Sequence, residues 1–176
     1  MTLLASVLVL AFALPALRQA LDSDAAWTME RRLPGSSRTF ESRGLVRCRA
    51  GRGIVWSVQE PFVSSVEMST NAMVFADEGV RRVKSLDELP HYAGIRKATD
   101  AFAAGDAKAF DGVFKIEETA LSDGGWRLVL TPEVSAMKRL FTSIELTGAE
   151  LPTNAVLRTD GGGSSVIRFK EIPRVP

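Results

Sequence analysis

The sequence has only one cysteine and one histidine, and these low counts exclude several kinds of disulfide, metal and catalytic site. Cys48 alone cannot form an internal disulfide or a metal site built from several cysteines. His91 alone excludes most zinc sites and the usual catalytic triads. The 22 basic and 21 acidic residues leave a net charge of +1, so no overall field attracts nucleic acid or an anionic membrane. No metal, no cofactor and no nucleic-acid partner is therefore expected.

Residues that carry chemistry in other proteins have simpler explanations here. The glycines of residues 51–53 and 161–163 are not followed by a helix that starts with Lys and Ser or Thr, so they predict a hairpin turn and a loop rather than phosphate sites. Cys48 has no histidine nearby to ionise it, which predicts an inert strand cysteine. Glu117 and Glu118 are neighbours on a strand and point to opposite faces, so they cannot act together on one bond. We predict no catalytic residues and no enzyme activity.

The first seventeen residues, MTLLASVLVLAFALPAL, carry no charge. The apolar run from Leu3 to Leu14 has the length of the hydrophobic part of a signal peptide and is too short to span a bilayer. Ala13 and Ala16 offer a cleavage point, although no Lys or Arg precedes the run. We expect residues 1–16 to be a signal peptide and residues 17–176 to be a single exported domain. An uncleaved anchor and a buried N-terminal helix are the alternatives.

From Trp27 onward, apolar and polar residues alternate, which is typical of strands with one buried face. Six such strands, separated by short turns, extend to about residue 83. Helical spacing follows over 85–110, and strands resume at 113–169, interrupted by a predicted helical turn at 133–139 before a strand at 140–146. We predict an α+β fold of about eleven strands, in which a strongly curved antiparallel sheet forms a half-open β-barrel capped by short helices.

The apolar side chains of such a sheet form either an ordinary packed core or the lining of a ligand cavity. A sheet of this size can enclose volume, and methionine side chains adapt to acyl chains of different shape, so both features favour a cavity. Eight residues are predicted to line it: Trp56, Met68, Met73, Phe75, Leu128, Leu130, Ile144 and Leu146. Three residues of the helical segment are predicted to close it as a lid: Ile95, Phe102 and Phe110.

The order of these elements resembles that of outer-membrane lipoprotein carriers of the LolA/LolB type, which are half-open β-barrels capped by helices. The resemblance covers residues 27–170, and because each segment is short, its specificity lies in order and spacing. The segments that carry it are Trp27-Thr28-Met29, Gly44-Leu45-Val46, Trp56 with Pro61 five residues later, Leu130-Thr131-Pro132, Phe141 to Leu146 and Ile167-Arg168-Phe169.

The resemblance implies a periplasmic, monomeric carrier. Such a protein binds the acyl chains of a lipoprotein or lipid and passes them from an inner-membrane donor protein towards an outer-membrane acceptor protein. The alternative is a periplasmic sensor or structural module that holds a protein segment on the same sheet, and a third option is an enzyme with cofactor-free chemistry in the half-barrel.

Two departures from the family pattern qualify this expectation. In well-studied carriers, an arginine just before a proline on the second strand helps to latch the lid. That position falls here on Ala50, followed by Gly51, and the neighbouring Arg49 points to the opposite face, so the energy-coupled loading cycle is in question. No cysteine stands directly after the apolar N-terminal run, where the lipid-anchored cysteine of a LolB-type acceptor would be, so a soluble carrier is the closer comparison.

Overall fold

A computed structural model describes residues 24–49, 53–69, 72–77, 79–85 and 111–171 of the chain. These residues form eleven strands: β1 (Asp24–Arg32), β2 (Thr39–Arg49), β3 (Gly53–Glu60), β4 (Ser64–Met68), β5 (Ala72–Asp77), β6 (Val80–Ser85), β7 (Phe114–Ala120), β8 (Trp126–Pro132), β9 (Ser143–Gly148), β10 (Pro152–Arg158) and β11 (Ser164–Glu171). The same residues include a short helix, α1 (Ser135–Lys138), between β8 and β9, and a 3-10 turn, Asp160–Gly162, between β10 and β11.

All eleven strands belong to one antiparallel sheet with the order β6-β5-β4-β3-β2-β1-β11-β10-β9-β8-β7. Strands β1 to β6 form one meander and β7 to β11 a second, and the pairing of β1 with β11 joins the two. Because β6 and β7 lie at opposite ends of this order, the described sheet is not closed. The curved, half-open barrel of about eleven strands that the sequence predicts fits this arrangement. The helical caps are predicted over residues 85–110. Ser85 belongs to β6, and residues 86–110 lie outside the described residues.

Most strands have an apolar side and a polar side, because successive side chains point in opposite directions. The exception is β6, which is exposed from Val80 to Lys84. On β1, Trp27 is buried and Met29 is half-buried, while Thr28 and Glu30 are exposed. The register places apolar positions of neighbouring strands opposite each other, as for Val46 and Trp56. The apolar sides therefore form one continuous surface, here called the inner face. The polar sides form the outer face.

The inner face holds most of the core. Burying one large apolar side chain contributes about 1.5–3 kcal/mol, so this face is the main source of stability. Its buried residues are Trp27, Val46, Cys48, Ile54, Trp56, Val58, Val66, Met68, Met73, Phe114, Trp126, Leu128, Leu130, Ile144, Leu146, Ala155, Leu157 and Ile167. Its partly buried members are Ala25, Met29, Phe75, Ile116 and Phe169.

The helical turn predicted at 133–139 is confirmed as α1, and it delays the start of the next strand. The sequence predicts that strand from Leu140, but β9 begins at Ser143. The backbone N–H groups of Leu140 and Phe141 both donate to the carbonyl oxygen of Met137, at 2.9 and 3.1 Å, and so continue the turn. Met137 and Phe141 are fully buried, so packing of the turn outweighs the strand pattern of this segment.

Ion pairs connect neighbouring strands on the outer face. Arg127 of β8 donates to both carboxylate oxygens of Glu145 on β9, at 2.8 and 3.0 Å. The hydrogen bond from Arg127 holds the pKa of Glu145 below its usual range. Arg168 of β11 pairs with Glu30 of β1 at 2.5 Å. Because these groups are partly exposed, each pair contributes at most about 1 kcal/mol, and the sheet depends far more on its inner face.

Gly44 marks a very close approach of β1, β2 and β3. A Cβ atom at this position would lie 1.8 Å from the carbonyl oxygen of Ser57 and 2.8 Å from Cζ2 of Trp27. Trp27 is directly opposite Gly44 in the β1–β2 register, so its indole occupies the space that a side chain at position 44 would need. Only glycine fits here, and its absence of a side chain lets the indole lie against the sheet.

Gly44→Ala should lower the free energy of unfolding by about 3 kcal/mol, because the new methyl group meets backbone on one side and a buried indole on the other. Gly124→Ala is the matched control. Gly124 has a φ of +83° but open space around it, so alanine there costs only about 1–2 kcal/mol of backbone strain. Denaturant unfolding measures both variants. A loss at position 44 no greater than that at position 124 would contradict the close approach.

Candidate functional site

The structure places all eight predicted cavity residues on the inner face. Seven of them are at most 1% exposed, and Phe75 is half-buried. One group lies on β3, β4 and β5 and comprises Trp56, Met68, Met73 and Phe75. The other lies on β8 and β9 and comprises Leu128, Leu130, Ile144 and Leu146. Four strands separate the two groups in the sheet order, so the eight residues do not form one compact cluster by themselves.

An aromatic cluster of Trp27, Trp56 and Phe169 extends from the first group across β1 to β11. The rings of Trp27 and Trp56 stack with centroids 4.6 Å apart and planes inclined by 23°. Phe169 approaches Trp56 edge-on, with centroids 6.3 Å apart. The alternation of apolar and polar residues in the sequence already predicts that Trp27 and Trp56 lie on the apolar sides of their strands. It does not bring Phe169 to them, because the pairing of β1 with β11 leaves no local signal in the sequence.

Two polar atoms on this part of the inner face are buried and, among the described residues, have no hydrogen-bond partner. They are Nε1 of Trp27 and Oγ of Ser42. By contrast, the indole of Trp126 is also buried, but its Nε1 donates to the carbonyl oxygen of Ala149. A buried polar group without a partner costs about 1–3 kcal/mol, so two such groups on adjacent strands require an explanation.

Arg31 lies on the same side of β1 as Trp27 and Met29. The alternation that runs through Trp27 and Met29 places Arg31 on the inner face, opposite Phe40 of β2 and Ser165 of β11. It is half-buried, and burial lowers the pKa of its guanidinium from the usual value. Within the part of the chain that the structure describes, no carboxylate forms an ion pair with it. Sequence reasoning missed this residue, although a charge at an apolar position of the β1 alternation is a readable signal.

A cavity of about 590 Å³ lies over β1, β2 and the end of β3. The ion pair between Arg43 and Glu60 lies at its border. No predicted cavity residue lines it, and most of its lining belongs to the polar outer face, so it is a polar groove and not an acyl site. Its lining residues are Thr28, Met29, Glu30, Glu41, Ser42, Arg43, Glu60 and Pro61.

Cys48 is buried on the inner face. Burial raises the pKa of its thiol to about 12, and this effect outweighs the nearby charge of Arg49. The thiol is therefore neutral near pH 7, in agreement with the prediction of an inert strand cysteine. Arg49 pairs with Asp24 of β1, with 2.6 Å between Nη1 and Oδ1. Its Nη1 also donates to the carbonyl oxygen of Cys48 at 2.8 Å, so its contact with Cys48 is to the backbone.

Several other predicted features lie outside the described residues. These are His91, the latch position Ala50 and the lid residues Ile95, Phe102 and Phe110. In the described ranges, no three histidine, cysteine, aspartate or glutamate side chains are grouped so that they could bind a metal ion. None of the helices in those ranges has the length and apolar character needed to cross a membrane.

Comparison with protein families matches residues 37–159 to the family described as outer membrane lipoprotein carrier protein LolA-like. Comparison with curated proteins found no match. Among solved structures, the LolA superfamily protein NE2245 from Nitrosomonas europaea is similar, with a TM-score of 0.46, 13% identity and coverage of 92% of this chain and 93% of that one. A DUF1329 family protein from Desulfovibrio piger has a TM-score of 0.46, 11% identity and coverage of 97% and 92%. LprF from Mycobacterium bovis has a TM-score of 0.40, 10% identity and coverage of 92% and 91%.

The buried state of Cys48 gives a direct test of the inner face. In the folded protein at pH 8, alkylation by iodoacetamide should be slower than in the urea-unfolded chain by a factor on the order of a thousand, because burial suppresses the thiolate and blocks access. Since the chain has a single cysteine, the mass shift of the intact protein reports this site alone. Rapid labelling under native conditions would contradict the placement of Cys48 in the core.

Proposed function

This chain belongs to the family of LolA-like outer membrane lipoprotein carrier proteins, and we propose that it is a periplasmic, non-enzymatic carrier. In this proposal it binds the acyl chains of a lipoprotein or lipid on its inner face and passes them from an inner-membrane donor towards an outer-membrane acceptor. The observation that carries the proposal is the continuous apolar inner face of an open eleven-stranded sheet.

The inner face has the chemistry that an acyl chain needs. Each methylene group removed from water contributes about 0.8 kcal/mol, so a single long chain gains useful affinity without any polar contact. The aromatic cluster of Trp27, Trp56 and Phe169 offers flat apolar surfaces, while Met68 and Met73 offer flexible ones that adapt to chains of different shape. A carrier with many similar cargoes benefits from such adaptable contacts.

Loading requires the packed side chains to make room. The adaptable part of the inner face lies near the β6 end of the sheet, where Met68 is opposite Met73 and Phe75 is only half-buried. We propose that this end admits the chain, and that Ile95, Phe102 and Phe110 of the 85–110 segment act as its lid. Release to an acceptor then follows from mass action once the acceptor offers a tighter apolar site.

Met73→Trp tests the acyl site, because it fills the space that the chain would occupy. We expect it to abolish binding of a fluorescent fatty-acyl probe while the protein stays folded, since Phe75, on the same side of β5, is only half-buried and can shift to accommodate the larger ring. Val74→Trp is the matched control: it is the next residue on β5 and lies on the outer face, so probe binding should persist. An ordinary packed core predicts a different result, namely that wild type binds no probe and that Met73→Trp costs about 1–3 kcal/mol of stability. That outcome would contradict the carrier function.

A further inference from the structure

Three inner-face residues of β1, each with a partner on β2, follow one another towards the end of the sheet that carries the β1–β2 turn. Trp27 lies opposite Gly44, Met29 opposite Ser42 and Arg31 opposite Phe40. Diagonal neighbours on adjacent strands lie roughly 7–8 Å apart, so Nε1 of Trp27 and Oγ of Ser42 can reach one small group between them. Arg31 is two residues beyond the level of Ser42, which is about 7 Å along the strand.

The two unpartnered atoms restrict the chemistry of a ligand. Nε1 of Trp27 can only donate a hydrogen bond, and a serine hydroxyl can donate as well, so the group that satisfies both must be an acceptor. Trp27 is 1% exposed, and its inner-face neighbours Gly44, Trp56 and Phe169 carry no charge. A charged acceptor would lose its hydration there without compensation. The acceptor is therefore neutral, as the carbonyl oxygen of an ester or amide is.

Arg31 indicates which chemical group the other end of the ligand carries. Its guanidinium is half-buried and has no ion pair within the described residues, so it has lost part of its hydration without gaining an anion. A guanidinium has paired donors that match the oxygens of a phosphate. Phe40, which lies opposite Arg31, is 51% exposed, so the anion at this position would keep contact with water.

Building on the proposed carrier function, we propose that Trp27, Ser42 and Arg31 form a polar column that recognises the polar end of the cargo. Trp27 and Ser42 donate to an ester or amide carbonyl oxygen, and Arg31 binds a phosphate a few bonds away. The acyl chain then extends from the carbonyl over the aromatic cluster. The predicted ligand class is an acyl lipid with an anionic phosphate headgroup, and the column orients it with its headgroup towards the β1–β2 turn.

Three probes of equal chain length separate the parts of this proposal. They are a 1-acyl lysophosphatidic acid with an ester and a phosphate, its ether-linked analogue without the carbonyl, and a 1-monoacylglycerol without the phosphate. Wild-type full chain should bind the first about tenfold more tightly than either of the others, since each lost interaction is a hydrogen bond to a buried or charged group. Isothermal titration or displacement of a fluorescent acyl probe measures all three.

Two sets of variants, each with its own control, assign the preferences to residues. Arg31→Gln should abolish the preference for the phosphate-bearing probe, whereas Arg32→Gln should preserve it, because Arg32 is the next residue on β1 and belongs to the outer face. Ser42→Ala and Trp27→Phe should each reduce the preference for the ester over the ether. Trp126→Phe, which removes an indole N–H that is already bonded to Ala149, should leave that preference unchanged and lower stability instead.

Stability measurements test separately whether Trp27 and Ser42 bind a carbonyl oxygen of the ligand. Ser42→Ala should leave the melting temperature unchanged or raise it, because it removes a buried hydroxyl without a partner. If a buried water satisfied Trp27 and Ser42 instead, Ser42→Ala would lower the melting temperature with no change in ligand preference, and the inference would be wrong. Equal binding of all three probes by wild type, or equal effects of Arg31→Gln and Arg32→Gln, would also overturn it while leaving the carrier function intact. Failure of all three probes to bind would contradict the carrier function itself.

Discussion

The structure depends on the position of β1 between β2 and β11. Nine residues of β1 pair with β2 and eight pair with β11, and these ladders join the N-terminal and C-terminal meanders into one sheet. A slip of one residue in either ladder would turn the apolar side of one meander away from that of the other. Gly44 contributes to this register, because the indole of Trp27 fits against β2 only where no side chain stands.

The same strand determines what the inner face can recognise. β1 brings Trp27 into contact with Trp56 of β3 and places it opposite Phe169 of β11, so the aromatic cluster draws residues from three strands far apart in the sequence. The polar column of Trp27, Ser42 and Arg31 begins at that cluster and ends near the β1–β2 turn. Under the proposed function, an apolar surface supplies affinity and the polar column supplies orientation, since hydrophobic burial by itself has no direction.

Much of the fold was predictable because its strands have strong period-two patterns. The apolar sides of β3, β5, β8 and β9 follow from alternation alone, and all eight predicted cavity residues lie on the inner face. The start of β9 was wrong, because hydrogen bonds from Leu140 and Phe141 to Met137 continue the preceding turn and no local pattern reveals them. The place of Phe169 beside Trp27 and Trp56 was also out of reach, since the pairing of β1 with β11 is set by global topology. Arg31 differs from these cases. Its position in the β1 alternation was visible in the sequence, but only the structure shows that no carboxylate of the described residues forms an ion pair with it.

The most direct test of the account is the identity of what the protein carries in its native host. The full chain, purified without detergent, should be extracted with organic solvent and the extract examined by mass spectrometry, with Met73→Trp purified in parallel. The account predicts acyl lipids or acylated peptides bound to wild type and absent from the variant, with esters or amides that bear a phosphate prominent among them. Bound peptides without acyl groups, or no bound species in wild type while added acyl probes also fail to bind, would contradict the claim that the inner face is an acyl-binding surface.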